Sequence, residues 1–403
     1  AAGVVTYAGT TMTVNGTFDV SAGTFPSGLT VTLSEDPSGG FSGDHTVMTC
    51  GSVTFTKVIL TKNTGGAATV GGSITISAGC TVPLGASPTT AVTNTFTNNG
   101  TITIDSGTWT VNGNTNGLLS SNMTNNGTIT HSGDGWVSSG GLVMGASAVV
   151  TYSGSTMSFG RNLDVSLGTF PSGKIVTFTD TGSSSDTTLT CGSVTFGGMI
   201  VNKDSSGDMI LGGSCTDTDD LTFTAGTLSN PGSAMTLTVQ GDAAFNSTGT
   251  FGGANLTLSL EGSTNNTLSK SAGTFASKLK VNKTVGNSAT LTTALSTTNT
   301  FEINSGTFSQ GATFDFTTGG ATTVGASGTW TNTGTGDITL AGDVTNSGTI
   351  TLDGSGVGCG GADAIVIASS AGGTQRNWTS TFTVYDVSVS DQTGSVTATS
   401  STN

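Results

Sequence analysis

The densest set of ionisable side chains is Asp217-Thr218-Asp219-Asp220, three carboxylates in four residues. A hard cation such as Ca2+ takes about six to eight oxygen ligands, so Asp217, Asp219 and Asp220 could supply part of a Ca2+ site and would need further oxygens from elsewhere. A hydrated acidic corner is the plainer alternative. No EF-hand loop surrounds these residues, and the Gly-Gly-x-Gly-x-Asp repeat of calcium-binding β-rolls is missing. Catalysis needs convergent titratable groups. Only two histidines are present, His45 and His131, and neither sits in a nucleophile, base or metal motif. Lys57, Lys174, Arg161 and Arg376 are scattered, with no carboxylate cluster beside them. No catalytic or cofactor-binding residue is therefore assigned. Ca2+ at the Asp217 corner is the one cofactor considered, and a non-enzymatic protein is expected.

Five cysteines, Cys50, Cys80, Cys191, Cys215 and Cys359, show no zinc-ligand spacing. Cys50 and Cys191 both open the phrase Cys-Gly-Ser-Val-Thr-Phe, and each is followed by another cysteine after an interval close to one repeat. Stacking in neighbouring layers would bring Cys50 near Cys80 and Cys191 near Cys215, within bridging range. Disulfides and buried free thiols both remain open at this point. Cys359 would be left over.

These residues must be positioned by a chain made almost wholly of short alternating stretches. Asn98-Asn99-Gly100-Thr101-Ile102-Thr103-Ile104 returns as Asn125-Asn126-Gly127-Thr128-Ile129-Thr130 and as Asn346-Ser347-Gly348-Thr349-Ile350-Thr351-Leu352. Each reads as a corner followed by a half-buried strand, the Asn and Gly tolerating positive φ. Longer echoes join Val4–Gly28 to Val149–Gly173, which marks a duplication of about residues 1–145 in 146–230, with further degenerate repeats over 231–403. Gly-Thr-aromatic phrases recur at Phe18, Phe25, Trp109, Phe170, Phe251, Phe275, Phe308 and Trp330. Stacked aromatics would form an internal ladder. A further echo runs from an aromatic to a lysine, Phe55 to Lys62, Phe196 to Lys203 and Phe275 to Lys283, and its lysines read as hydrated turn charges.

No window carries a helical period, and Gly and β-branched residues interrupt every one. The expectation is an all-β fold: one continuous parallel β-helix, or solenoid, over 1–403, with about 24 residues per coil from the echo spacing. Tandem β-sandwich domains are the alternative.

Composition narrows the function classes. The chain has 403 residues, 63 of them Gly, with only 8% charged and a net charge of −14. Only ten Lys and Arg residues against 24 Asp and Glu make nucleic acid a poor partner, because phosphate neutralisation requires an extended basic patch. The apolar runs are too short for a membrane span. Disorder is excluded by the regular β-branched alternation. Sequons such as Asn15-Gly16-Thr17 permit glycosylation without indicating it.

The Asn-x-Gly-Thr-Ile phrases around Gly100, Gly127 and Gly348 and the Gly-Thr-aromatic echoes resemble the repetitive β-solenoid surface proteins of bacteria, the filamentous-haemagglutinin-like and autotransporter-type adhesins. The resemblance covers most of the chain. It implies a right-handed β-helix, secretion to the cell surface, and a role in adhesion or fibre formation. No secretion domain or membrane anchor of that family is recognisable here. The start at Ala1 rather than Met is read as the mark of a processed or excised product.

The expected function is thus an extracellular structural or adhesive protein, a fibre or filament subunit. The alternatives are a glycan-binding or glycan-processing β-helix enzyme and a phage-type fibre segment. Partners are further copies of the chain, stacked head to tail, and surface glycans. Val4, Val5 and Tyr7 open on a strand, and Tyr385, Val387 and Val389 close in mid-repeat. With neither end capped, these two sets are expected to meet between neighbours.

Overall fold

The computed structural model describes residues 5–15, 18–20, 24–26, 28–34, 46–50, 54–61, 67–70, 73–76, 81–83, 95–98, 101–104, 108–112, 122–133, 135–138, 140–179, 186–203, 207–229, 231–311, 313–354, 364–379, 382–394 and 398–399. Among them there is no helix, and therefore none long and apolar enough to cross a membrane. Stacked parallel strands form a β-solenoid, with about 12 turns among the described residues. Its contacts divide into two compact units, Ala1–Gly212 and Gly213–Asn403.

Every described strand pairing is parallel and joins a strand to its counterpart one coil away. In the second unit Cys215, Leu237, Leu258, Leu279, Phe301, Thr322 and Val344 pair in succession, 21 or 22 residues apart. That is slightly shorter than the expected repeat. Antiparallel sandwich sheets, the alternative architecture, do not occur among the described strands.

The alternation read from sequence decides which residues go inside. Thr349–Asp353 buries Ile350 and Leu352 and turns its threonines and Asp353 outward. Ser288–Leu291 and Phe316–Thr318 follow the same period, as a pleated strand with one wet face requires. The aromatic ladder lies indoors. Phe18, Phe25, Phe170, Phe251, Phe275, Phe308 and Trp330 are all buried. Phe251 and Phe275, one coil apart, stack at 5.3 Å with their planes 13° apart. Phe301, Phe308, Phe316 and Trp330 pack as a second cluster with ring centres 4.8–6.5 Å apart. Such pairs add to the transfer free energy of their buried area.

Strands recur at corresponding places in the echoed stretches. Thr11–Asn15 matches Thr156–Phe159, Leu29–Ser34 matches Lys174–Thr179, and Thr54–Thr61 matches Thr195–Asn202. Even the irregularity repeats: the register slips between Leu29 and Thr30 in one copy, and between Lys174 and Val176 in the other.

Corners are built differently from the sequence expectation. Gly348 has no positive φ. Instead Asn346 points indoors, and its Oδ1 accepts the Gly348 N–H at 2.9 Å. Gly127 N–H to Asn125 Oδ1 (3.3 Å) and Gly334 N–H to Asn332 Oδ1 (3.1 Å) are the same turn. The amide side chain replaces a backbone acceptor two residues on. Gly348 is required for space: a Cβ there would lie 2.2 Å from the Gly325 carbonyl oxygen. Positive φ belongs to the other phrase, at Gly168, Gly273 and Gly306 of Gly-Thr-Phe.

Candidate functional site

The acidic stretch divides between the two sides of the wall. Asp217 ends strand Cys215–Asp217 and is buried, whereas Asp219 and Asp220 are exposed. Asp217 Oδ1 accepts the Asp219 N–H at 3.2 Å, and Asp220 Oδ1 accepts the Asp242 N–H of the next coil at 2.8 Å. Asp217 and Asp220 thus each organise a backbone amide. No group of three or more His, Cys, Asp or Glu among the described residues is placed to hold a metal ion.

Asp220 belongs to a series. Asp242 Oδ1 accepts from Thr267 N–H at 2.8 Å, Asp315 Oδ1 from Asp337 N–H at 2.9 Å, and Asp337 Oδ1 from Val366 N–H at 2.9 Å. Each clamps one coil to the next where the ladder opens at a corner. Charge-assisted bonds of this type are stronger than neutral ones.

Cys191 and Cys215 are buried, and both are disulfide-bonded. The side chain of Cys50, along with Cys80 and Cys359, lies outside the described residues, as does His45. His131 is buried. Its Nδ1 accepts the Gly133 N–H at 3.2 Å, its Nε2 lies 2.7 Å from the Gly135 carbonyl oxygen, and the ring stacks on Tyr152. The pattern fits the neutral tautomer with the proton on Nε2.

Val5 and Tyr7 are exposed, and Val4 lies outside the described residues. Tyr385 and Val387 are half-buried and Val389 is 55% exposed. Around Val389 the apolar interior opens into a cleft of about 250 Å³, lined by Ile367, Trp378, Phe382, Val384 and Val389.

Two of the echoed lysines, Lys203 and Lys283, overturn their expected role as hydrated turn charges, while Lys62 lies outside the described residues. Lys203 and Lys283 are both buried, and Lys203 Nζ donates to Thr187 Oγ1 at 2.8 Å. Lys283 ends strand Lys278–Lys283, in which Leu279, Val281 and Lys283 alternate inward. Its Nζ donates to the Glu261 carbonyl oxygen, to Asn266 Oδ1, and to the Gln240 carbonyl oxygen at 3.5 Å. Burial lowers its pKa to about 8, with Asp242 and Glu261 opposing the shift. Desolvation wins because three neutral carbonyl acceptors replace water only in part. Counting alternate residues to the end of the strand places Lys283 inside, and this was the signal to follow.

No family model, no curated protein and no solved structure matches this chain.

Proposed function

We propose that the chain is a non-enzymatic structural protein of the extracellular surface, an adhesive or filament-forming subunit that associates with copies of itself. The observation that carries this reading is the apolar cleft of Ile367, Trp378, Phe382, Val384 and Val389. Ile367 and Trp378 form its buried floor, Phe382 and Val384 are half-buried, and Val389 is exposed at its mouth. An apolar side chain entering it would be removed from water. A second copy presenting the exposed Val5 and Tyr7 supplies apolar groups for it. Contact between two different patches is heterologous, and repeated contacts of that kind generate chains of subunits. The scarcity of titratable groups supports a non-catalytic role.

Sedimentation velocity and negative-stain micrographs across a concentration range test the reading. Association is expected in the wild-type protein, weakened by about tenfold or more in Val389→Asp, since a charge at a desolvated contact costs at least that much. Wild-type protein that remains monomeric at every concentration refutes it. A glycan screen run alongside examines the adhesive role: binding by dispersed protein supports it, whereas measurable turnover refutes the non-enzymatic assignment.

A further inference from the structure

We propose that the side chains of Lys283 and Asn266 condense to an intramolecular amide, a covalent bond between Nζ and Cγ formed with release of ammonia. The proposal is independent of the self-association reading above and rests on what surrounds the Lys283 nitrogen.

Lys283 and Asn266 are 0% and 8% exposed. The amine donates directly to Oδ1 of the Asn266 carboxamide, the oxygen bonded to the carbon that would be attacked. Its other acceptors are the backbone carbonyl oxygens of Gln240 and Glu261. The nitrogen is thus held beside the Asn266 carboxamide by bonds to three acceptors, the full set an ammonium can make. The neutral amine that reacts gives up one of them, the long one to Gln240, and strands Asn266–Lys270 and Lys278–Lys283 frame both partners. Such fixed proximity replaces a bimolecular encounter with an intramolecular one.

The surroundings suit the chemistry. Burial brings the amine pKa down to about 8, which makes the neutral, nucleophilic form accessible near neutral pH. The Thr264 hydroxyl lies 3.3 Å from Asn266 Oδ1 and 3.4 Å from the Gln240 carbonyl oxygen, and its one hydrogen can turn to Asn266. That bond polarises the carbonyl and stabilises the negative oxygen of a tetrahedral intermediate. Asp242 and Glu261 are the charged groups whose field reaches the Lys283 amine. Neither carboxylate contacts it directly in the hydrogen bonds described, so the proton released on forming the neutral amine goes to water.

The atoms balance without an added reagent. The neutral amine's lone pair forms the new bond to Cγ, and the Cγ–Nδ2 bond breaks. One hydrogen from Nζ leaves with the two already on Nδ2, as ammonia. Nothing is oxidised or reduced.

Intact-mass measurement of the full chain after disulfide reduction, with tryptic peptide mapping, tests the proposal. The expected mass is lighter than the sequence mass by one ammonia. The map should contain a branched peptide carrying both Asn266 and Lys283, with no cleavage after Lys283. Asn266→Asp should lose water instead and arrive at the same final mass, whereas Asn266→Leu and Lys283→Met should retain their full sequence masses. A wild-type chain of full sequence mass, cleaved by trypsin after Lys283, overturns the proposal. If the Leu and Met variants fail to fold, the wild-type and Asn266→Asp masses decide the question between them.

Discussion

A lysine inside a β-solenoid is unfavourable while it is charged, and Lys283 provides a direct readout of its own state. Its pKa is lowered from 10.5 to about 8 by burial. Between those values the unfolded chain binds the proton and the folded chain does not, so stability rises with pH across that window. Below pH 8 both states are protonated, and the full desolvation cost is present. An amide nitrogen does not titrate there. Asn266→Leu, which keeps the amine free, should therefore gain stability relative to wild type between pH 8 and 10, as followed by urea midpoints. Equal slopes in the two proteins would count against the cross-link. The inward position of Lys283 was legible in Leu279-x-Val281-x-Lys283, and charge alone argued for the surface. Its meeting with Asn266 was not legible, because which residue of the preceding strand lies opposite depends on how the intervening corner folds.

The corners carry the energetics of the individual elements. Gly348→Ala should destabilise by about 2 kcal/mol or more, because a methyl group there meets backbone oxygen that cannot move aside. Gly372→Ala, with nothing within 4 Å, should be close to neutral in the same denaturant assay. Asn125 is a second test. It accepts from Asn98 Nδ2 at 2.8 Å and from Gly127 N–H, both at a buried corner. Asn125→Ala should cost about 1–3 kcal/mol by orphaning those donors. A double-mutant cycle with Asn98→Ala should show coupling between the two positions, and additive losses would contradict an inter-coil amide ladder. The Asn-x-Gly phrases marked the corners correctly in sequence. Their mechanism was hidden, because positive φ and close backbone approach both demand Gly, and only the fold distinguishes them.

For the molecule as a whole, parallel stacking was readable from the repeats and the missing helical period. In the unit Gly213–Asn403 each coil touches mainly its two neighbours, so damage should remain local. Phe308→Ala removes a ring packed on Phe301, Phe316 and Trp330 and should cost about 3–5 kcal/mol. Hydrogen exchange should show lost protection first in the strands Phe301–Ser309 and Thr322–Asn332, fading with each coil away. Uniform loss of protection through the unit would mean that it opens as a single block. At Asp217-Thr218-Asp219-Asp220 the sequence shows three carboxylates side by side, and only the pleat shows that one turns indoors and two out.

The direction of the hydrogen bonds in this ladder has a mechanical consequence. Bonds between successive coils run along the stacking direction, so a pull applied along it opens one rung at a time, as in peeling, and does not shear a whole strand at once. Stretching the unit Gly213–Asn403 between two handles should therefore give a train of low force peaks. Coils of 21 or 22 residues should each release about 70 Å of contour, at roughly 3.4 Å per extended residue. A single high peak that frees all the length together would show that the coils bear load in parallel.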